Sequence, residues 1–113
     1  MKKLKEEIRA FAKERDWDKY HSPKNLAIGL SVESAELLEI FLWLTEKESK
    51  KLDKKALANL KEEIGDVMIY LTNIADKFGL DPIACAREKI KINRKKYPAH
   101  IVKGSAKKYT EYS

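Results

Sequence analysis

Two pairs of carboxylates recur at one spacing: Glu33 with Glu36, and Glu63 with Asp66. On an α-helix two side chains three residues apart share a face, about 60° apart around the axis. If the two helices pack antiparallel, the pairs can face each other, and four converging carboxylates repel strongly. A hard divalent cation bound by oxygen removes that repulsion. Mg²⁺ suits such a site, because it is held by one or two carboxylates and completes its shell with water and substrate phosphate. No His/Cys cluster accompanies the pairs, which leaves no ligand set for a softer metal.

The first pair stands where core residues are expected. Leu26, Leu37 and Ile40 fall on or between the directions of Glu33 and Glu36, so both carboxylates project from an apolar face. An unpaired carboxylate there costs several kcal/mol unless cations, protonation or a metal offset it. Glu-x-x-Glu on a lysine-rich helix is ordinarily a solvated face, and Glu62 and Glu63 could pair with Lys61. Two such pairs on neighbouring helices favour a metal. Trp17 and Trp43 could stack on a nucleobase, worth about 1–3 kcal/mol per base, or pack in the core. His21 could bond to a ligand or cap a turn.

The elements that would carry these groups are four helices and a tail. Helix one is expected over residues 3–15, with Leu4, Ile8, Phe11 and Ala12 on one stripe. After a polar stretch, Ser22-Pro23 reads as an N-cap followed by proline at the first helical position, opening helix two over residues 23–44. Residues 46–55 read as loop or frayed helix. Helix three is expected over residues 54–78, where Leu57, Leu60, Ile64, Val67, Leu71, Ile74 and Phe78 recur at spacings of three and four. Gly79 ends it, and Asp81-Pro82 starts helix four, which stops at Tyr97 before Pro98. Residues 98–113 read as an irregular tail. The expected fold class is all-α, a four-helix bundle forming one domain over residues 1–113.

Bulk properties bound the function. A chain of 113 residues buries only about two-thirds of its unfolded surface, so a deep site points to an oligomer. With 43% hydrophobic and 37% charged residues the chain is globular. No apolar run approaches the ~20 residues of a membrane span, the N-terminus does not resemble a signal peptide, and there is one cysteine, Cys85. A cytoplasmic protein without a membrane partner is expected. The net charge of +6 is concentrated in residues 87–108, where Arg87, Lys89, Lys91, Arg94, Lys95, Lys96, Lys103, Lys107 and Lys108 face only Glu88. Such a stretch could meet phosphates, an acidic partner or nucleic acid, or be a solvated lysine-rich surface.

Glu33-Ser34-Ala35-Glu36, a gap of 26 residues, then Glu63-Ile64-Gly65-Asp66 resembles the ExxE…ExxD signature of the MazG-like all-α nucleoside triphosphate pyrophosphohydrolases. Further pieces look like the dCTP pyrophosphatase branch: Arg15-Asp16-Trp17, His21-x-Pro23-x-Asn25-Leu26, Trp43, Asp66-Val67-x-Ile69-Tyr70-Leu71, Asn93-Arg94-x-x-Tyr97-Pro98 and Gly104-Ser105-x-x-Lys108-Tyr109-Thr110. Ile8 and Lys24 depart from that branch, which commonly carries histidine and arginine there.

The resemblance implies that Glu33, Glu36, Glu63 and Asp66 bind Mg²⁺, and that Trp17 and Trp43 flank the base with His21 and Asn25 nearby. It implies that Asp66 and Tyr70 also touch the nucleotide. Lys89, Asn93 and Arg94, with Lys108 and Tyr109, would meet phosphates, some from a neighbouring subunit of a homodimer or homotetramer. The implied reaction is attack of water on the α-phosphorus of dCTP or a modified dCTP, releasing pyrophosphate, with Glu36 or Glu39 as general base. Two other readings stay open: a non-catalytic helical adaptor, and a nucleic-acid-binding module using the basic C-terminal third. The acidic cluster argues against a stable nucleic-acid partner, since it repels phosphate unless metal is present.

Overall fold

Short polar side chains and prolines set where the helices begin. The computed structural model describes residues 2–102. Helix α1 spans Lys2–Glu14 and is followed by a single 3₁₀ turn, Asp18–Tyr20. Helix α2 spans Pro23–Leu42, with the Ser22 hydroxyl accepting the Asn25 amide at 3.1 Å. Helix α3 is one turn, Glu46–Ser49, and α4 spans Lys54–Lys77, capped by Asp53, which accepts the Ala56 amide at 2.8 Å. These caps satisfy amides that the first helical turn leaves without carbonyl partners.

Helix α4 ends where Gly79 takes a positive φ of 67°. The Leu80 amide reaches back to the Ala75 carbonyl at 2.9 Å and the Gly79 amide to Asp76 at 3.2 Å, the paired bonds of a Schellman stop. Helix α1 ends in the same way on Asp16, at φ 54°, with Trp17 bonded to Ala12 and Asp16 to Lys13. A non-glycine residue in this region is strained, and Lys19 pairs with the Asp16 carboxylate at 3.0 Å. That turn places Trp17.

The chain divides into two compact units, residues 1–81 and 82–113. In the first, α2 packs along α4 and α1 lies against α4. Gly29 meets Tyr70, and Glu33 meets Glu63, so rising numbers on α2 match falling numbers on α4 and the pair is antiparallel. The buried centre is small: Ala12, Leu26 and Ala75, with half-buried Leu37, Ile40, Leu60, Val67 and Ile74 beside it. Arg9 clamps α1 to α4 through a two-pronged bond to Asp76, at 2.7 and 2.5 Å. In the second unit α5 spans Pro82–Lys96 and α6 spans Ala99–Val102. Arg94, Lys95 and Lys96 fall in the last turn of α5, where cations complement the helix dipole.

The four long helices appear where the sequence places them, and the class is all-α. Two expectations need correction. The stretch 46–55 contains α3, because Thr45 and Glu48 form a reciprocal capping box at 3.1 and 2.9 Å. Residues 99–102 are helical rather than irregular, with the Ile101 amide bonded to the Pro98 carbonyl. A third difference concerns packing. Leu57, Ile64, Leu71 and Phe78, read from the sequence as part of one stripe with Leu60, Val67 and Ile74, are exposed.

Candidate functional site

Glu33, Glu36 and Glu63 each offer a carboxylate oxygen within 4.8 Å of the other two. Glu33 and Glu36 come from the middle of α2, and Glu63 reaches across from α4. One oxygen of Glu33 and one of Glu63 are buried without any hydrogen-bond partner. Buried polar atoms are normally satisfied, so orphaned acceptors facing one another ask for a cation. The Glu33 carboxyl is pushed up to about 7, first by burial and then by the facing carboxyls of Glu63 and Glu36. That of Glu63 is also raised, first by burial. Carboxylates of this number and spacing fit a hard divalent ion bound through oxygen.

Asp66 lies one turn beyond Glu63 on α4, close enough for its charge to be felt at Glu33 and Glu63. It also lines a cavity of about 230 Å³ with Trp17, His21, Leu26, Tyr70 and Asn73 among its walls. Glu63, Asp66, Tyr70 and Asn73 therefore form one line along α4, running from the carboxylate cluster into the cavity. Trp17 meets Phe11 edge to face at 5.6 Å and His21 at 6.5 Å. Tyr70 lies over Gly29, where an added Cβ would fall 2.6 Å from the ring Cζ, so only glycine admits the ring there.

The remaining candidates are distributed differently. Asn25 donates its side-chain amide to the Tyr20 carbonyl at 3.1 Å, which commits it to holding the 3₁₀ turn against α2. Trp43 is the residue after α2 and is 89% exposed. Glu39 is exposed one turn past Glu36. Lys89, Asn93 and Arg94 belong to α5 in the second unit, with Asn93 half-buried and the other two exposed. Lys108 and Tyr109 lie outside the described residues. Asn73 was missed from sequence; its place on the Glu63–Asp66–Tyr70 face was the available signal. No described helix is long and apolar enough to cross a membrane.

The chain is similar to proteins of known kind over most of its length. It is 42% identical to human dCTP pyrophosphatase 1 across 103 residues, covering 89% of this chain and 61% of that protein. The mouse protein of the same name is 41% identical over the same length. The chain thus spans about three-fifths of the curated relatives it matches. The crystal structure of a pyrophosphatase from Archaeoglobus fulgidus DSM 4304 superposes with a TM-score of 0.81 at 41% identity, covering 87% of this chain and 92% of that one. The MazG-like family model matches residues 28–112. Both carboxylate pairs fall inside that match, on facing antiparallel helices, and this chain belongs to the MazG-like family.

Proposed function

We propose that the chain is a Mg²⁺-dependent nucleoside triphosphate pyrophosphohydrolase that converts dCTP or a modified dCTP, with water, to the monophosphate and pyrophosphate. The observation that carries this reading is the trio of facing carboxylates with two orphaned buried oxygens, adjoined along α4 by a largely apolar cavity whose walls include the rings of Phe11, Trp17 and Tyr70 and the polar groups of His21, Asp66 and Asn73. The named relatives support the choice of reaction and base.

Glu33, Glu36 and Glu63, with Asp66 beside them, would hold the ion. When bound, Mg²⁺ supplies charge neutralisation on phosphate oxygens and a water of lowered pKa. Trp17, 43% exposed in the cavity lining, would stack on the base. Asp66 and Tyr70 orient the nucleoside end, so the triphosphate lies toward the cluster. Water oxygen bonds to the α-phosphorus, the α–β bridging bond breaks, and pyrophosphate leaves. Glu36 is engaged in the trio, so Glu39, one turn on and exposed, is the carboxylate left to take the water's proton. By the resemblance, Lys89, Asn93, Arg94, Lys108 and Tyr109 are assigned to the departing phosphates. Trp43 stands at the opposite end of α2 from the cavity, roughly 25 Å along the helix from Leu26 at about 1.5 Å per residue, so it would flank only a base bound by a second copy of the chain. The exposed stripe on α4 supports a homodimer or homotetramer, and the protein acts in the cytoplasm on the nucleotide pool.

The test is pyrophosphate release from a panel of canonical and modified dNTPs and NTPs, with Mg²⁺ and with EDTA. Cytosine nucleotides turn over fastest and EDTA abolishes release. Glu36→Gln lowers turnover by about 100-fold or more. Unchanged turnover in that variant, or release that persists in EDTA, rules out this site.

A further inference from the structure

We propose that Asn73 is a positioning residue that fixes the tautomer of His21, so that His21 presents an Nε2–H donor to the ligand in the cavity. The ligand role rests on the nucleotide reading above; the tautomer itself does not. Asn73 is buried, 8% exposed, and its side-chain nitrogen Nδ2 lies 3.4 Å from His21 Nδ1. An amide nitrogen has hydrogens to give and no lone pair to offer, so this contact is attractive only when Nδ1 is the unprotonated acceptor. In a neutral ring the proton must then sit on Nε2. Both residues line the same cavity, and the nearby α4 groups divide the remaining work. Asp66 can only accept while ionised, and the Tyr70 hydroxyl can do either.

His21 is held by more than this bond. Its backbone amide closes the 3₁₀ turn on the Asp18 carbonyl at 3.1 Å, and its ring stands at 71° to Trp17. The ring is therefore placed by local structure, while the position of its proton is set from α4, 52 residues away. A fixed donor suits an acceptor atom on the ligand, such as the ring carbonyl of a pyrimidine base. With the other tautomer the cavity would offer that atom a lone pair and reject it. An unfixed ring would divide between the two forms and bind less well.

The chain has two histidines, His21 and His100, so an ¹⁵N-labelled His100→Gln protein reports His21 alone. Long-range ¹H–¹⁵N correlation well above the ordinary imidazole pKa of about 6.5 is expected to show a pyridine-type Nδ1 and a protonated Nε2. Asn73→Asp, which can only accept when ionised, moves the proton to Nδ1. Asn73→Ala leaves a mixture of tautomers and, without added charge, raises KM for the best substrate about 3–10-fold with kcat within about twofold. A protonated Nδ1 in the otherwise native protein overturns the proposal, as does an unaltered tautomer in both Asn73 variants. A KM unchanged in Asn73→Ala despite a shifted tautomer overturns the ligand role. If Asn73→Asp does not fold, the Ala variant and the His100→Gln spectrum decide. Absence of turnover with every nucleotide, alongside the expected spectrum, refutes the pyrophosphohydrolase reading and leaves the tautomer assignment standing.

Discussion

Glu33 occupies a direction on α2 shared with Leu26, Leu37 and Ile40, and its carboxyl sits near 7 because it is covered and faces other acids. In the unfolded chain it returns to the ordinary glutamate value of about 4.3. The folded state therefore holds the proton more tightly. The stability this lends is complete below the unfolded value and is lost as pH rises through about 7. The metal-free protein is expected to lose Tm between pH 5 and 8, with Glu63, also raised, adding to the slope. Glu33→Gln flattens the slope and raises Tm at pH 8, while removing most of the stabilisation a divalent cation gives. In the native protein that stabilisation is larger at pH 8 than at pH 5.5, since the cation binds the ionised form. Thermal unfolding at both pH values, with and without Mg²⁺, measures all of this. A steeper slope in Glu33→Gln would contradict the assignment.

Helix α1 owes its attachment to a different kind of charge. Asp76, nearly covered, receives two bonds from Arg9, which hold its carboxyl below the usual carboxylate range. A lowered carboxyl contributes stability above its unfolded value and loses it as pH falls toward the folded one, the opposite sign to Glu33. Exposed pairs are worth about 0.2–1 kcal/mol, and two-pronged geometry puts this one near the top of that range. Asp76→Asn is expected to cost about 1 kcal/mol, or roughly 4–8 °C in Tm, in thermal melts at neutral pH, and less at high salt. Long-range pairs of this kind leave no mark in local sequence pattern, and neither does the Asn73–His21 contact. What was legible came from local chemistry: Ser22-Pro23 opening α2, Gly79 closing α4, and acids set into the apolar face of α2. The capping box of Thr45 and Glu48 was also readable and passed over. Asn25 shows the reverse case, a residue in a suggestive place whose amide serves the turn at Tyr20. The residues beyond Val102, with Lys108 and Tyr109, stand only on resemblance.

On the scale of the whole molecule the apolar surface is the unusual quantity. Leu57, Ile64, Leu71 and Phe78 recur every seven residues on α4 and are exposed, as are Ile28, Val32, Leu38 and Leu42 on α2. Periodicity reports that a face is apolar without saying whether its cover comes from the same chain. Contiguous exposed apolar surface on this scale marks an association site. A second copy of the chain is the partner that fits the oligomer proposed above, since one stripe can serve both sides of a two-fold interface. Sedimentation at micromolar concentration is expected to give a dimer or larger species, and Leu71→Glu to give a monomer. A monomeric native protein would refute the oligomer.

The close approach of Tyr70 to Gly29 shapes what inheritance can do with α2. In a library covering every codon of that helix, position 29 is expected to tolerate no replacement, as strictly as the acids at 33 and 36. The two intolerances part when abundance is scored beside fitness. Replacements at Glu33 leave plentiful protein without activity, whereas those at Gly29 displace the ring, loosen the α2–α4 contact and deplete the protein itself.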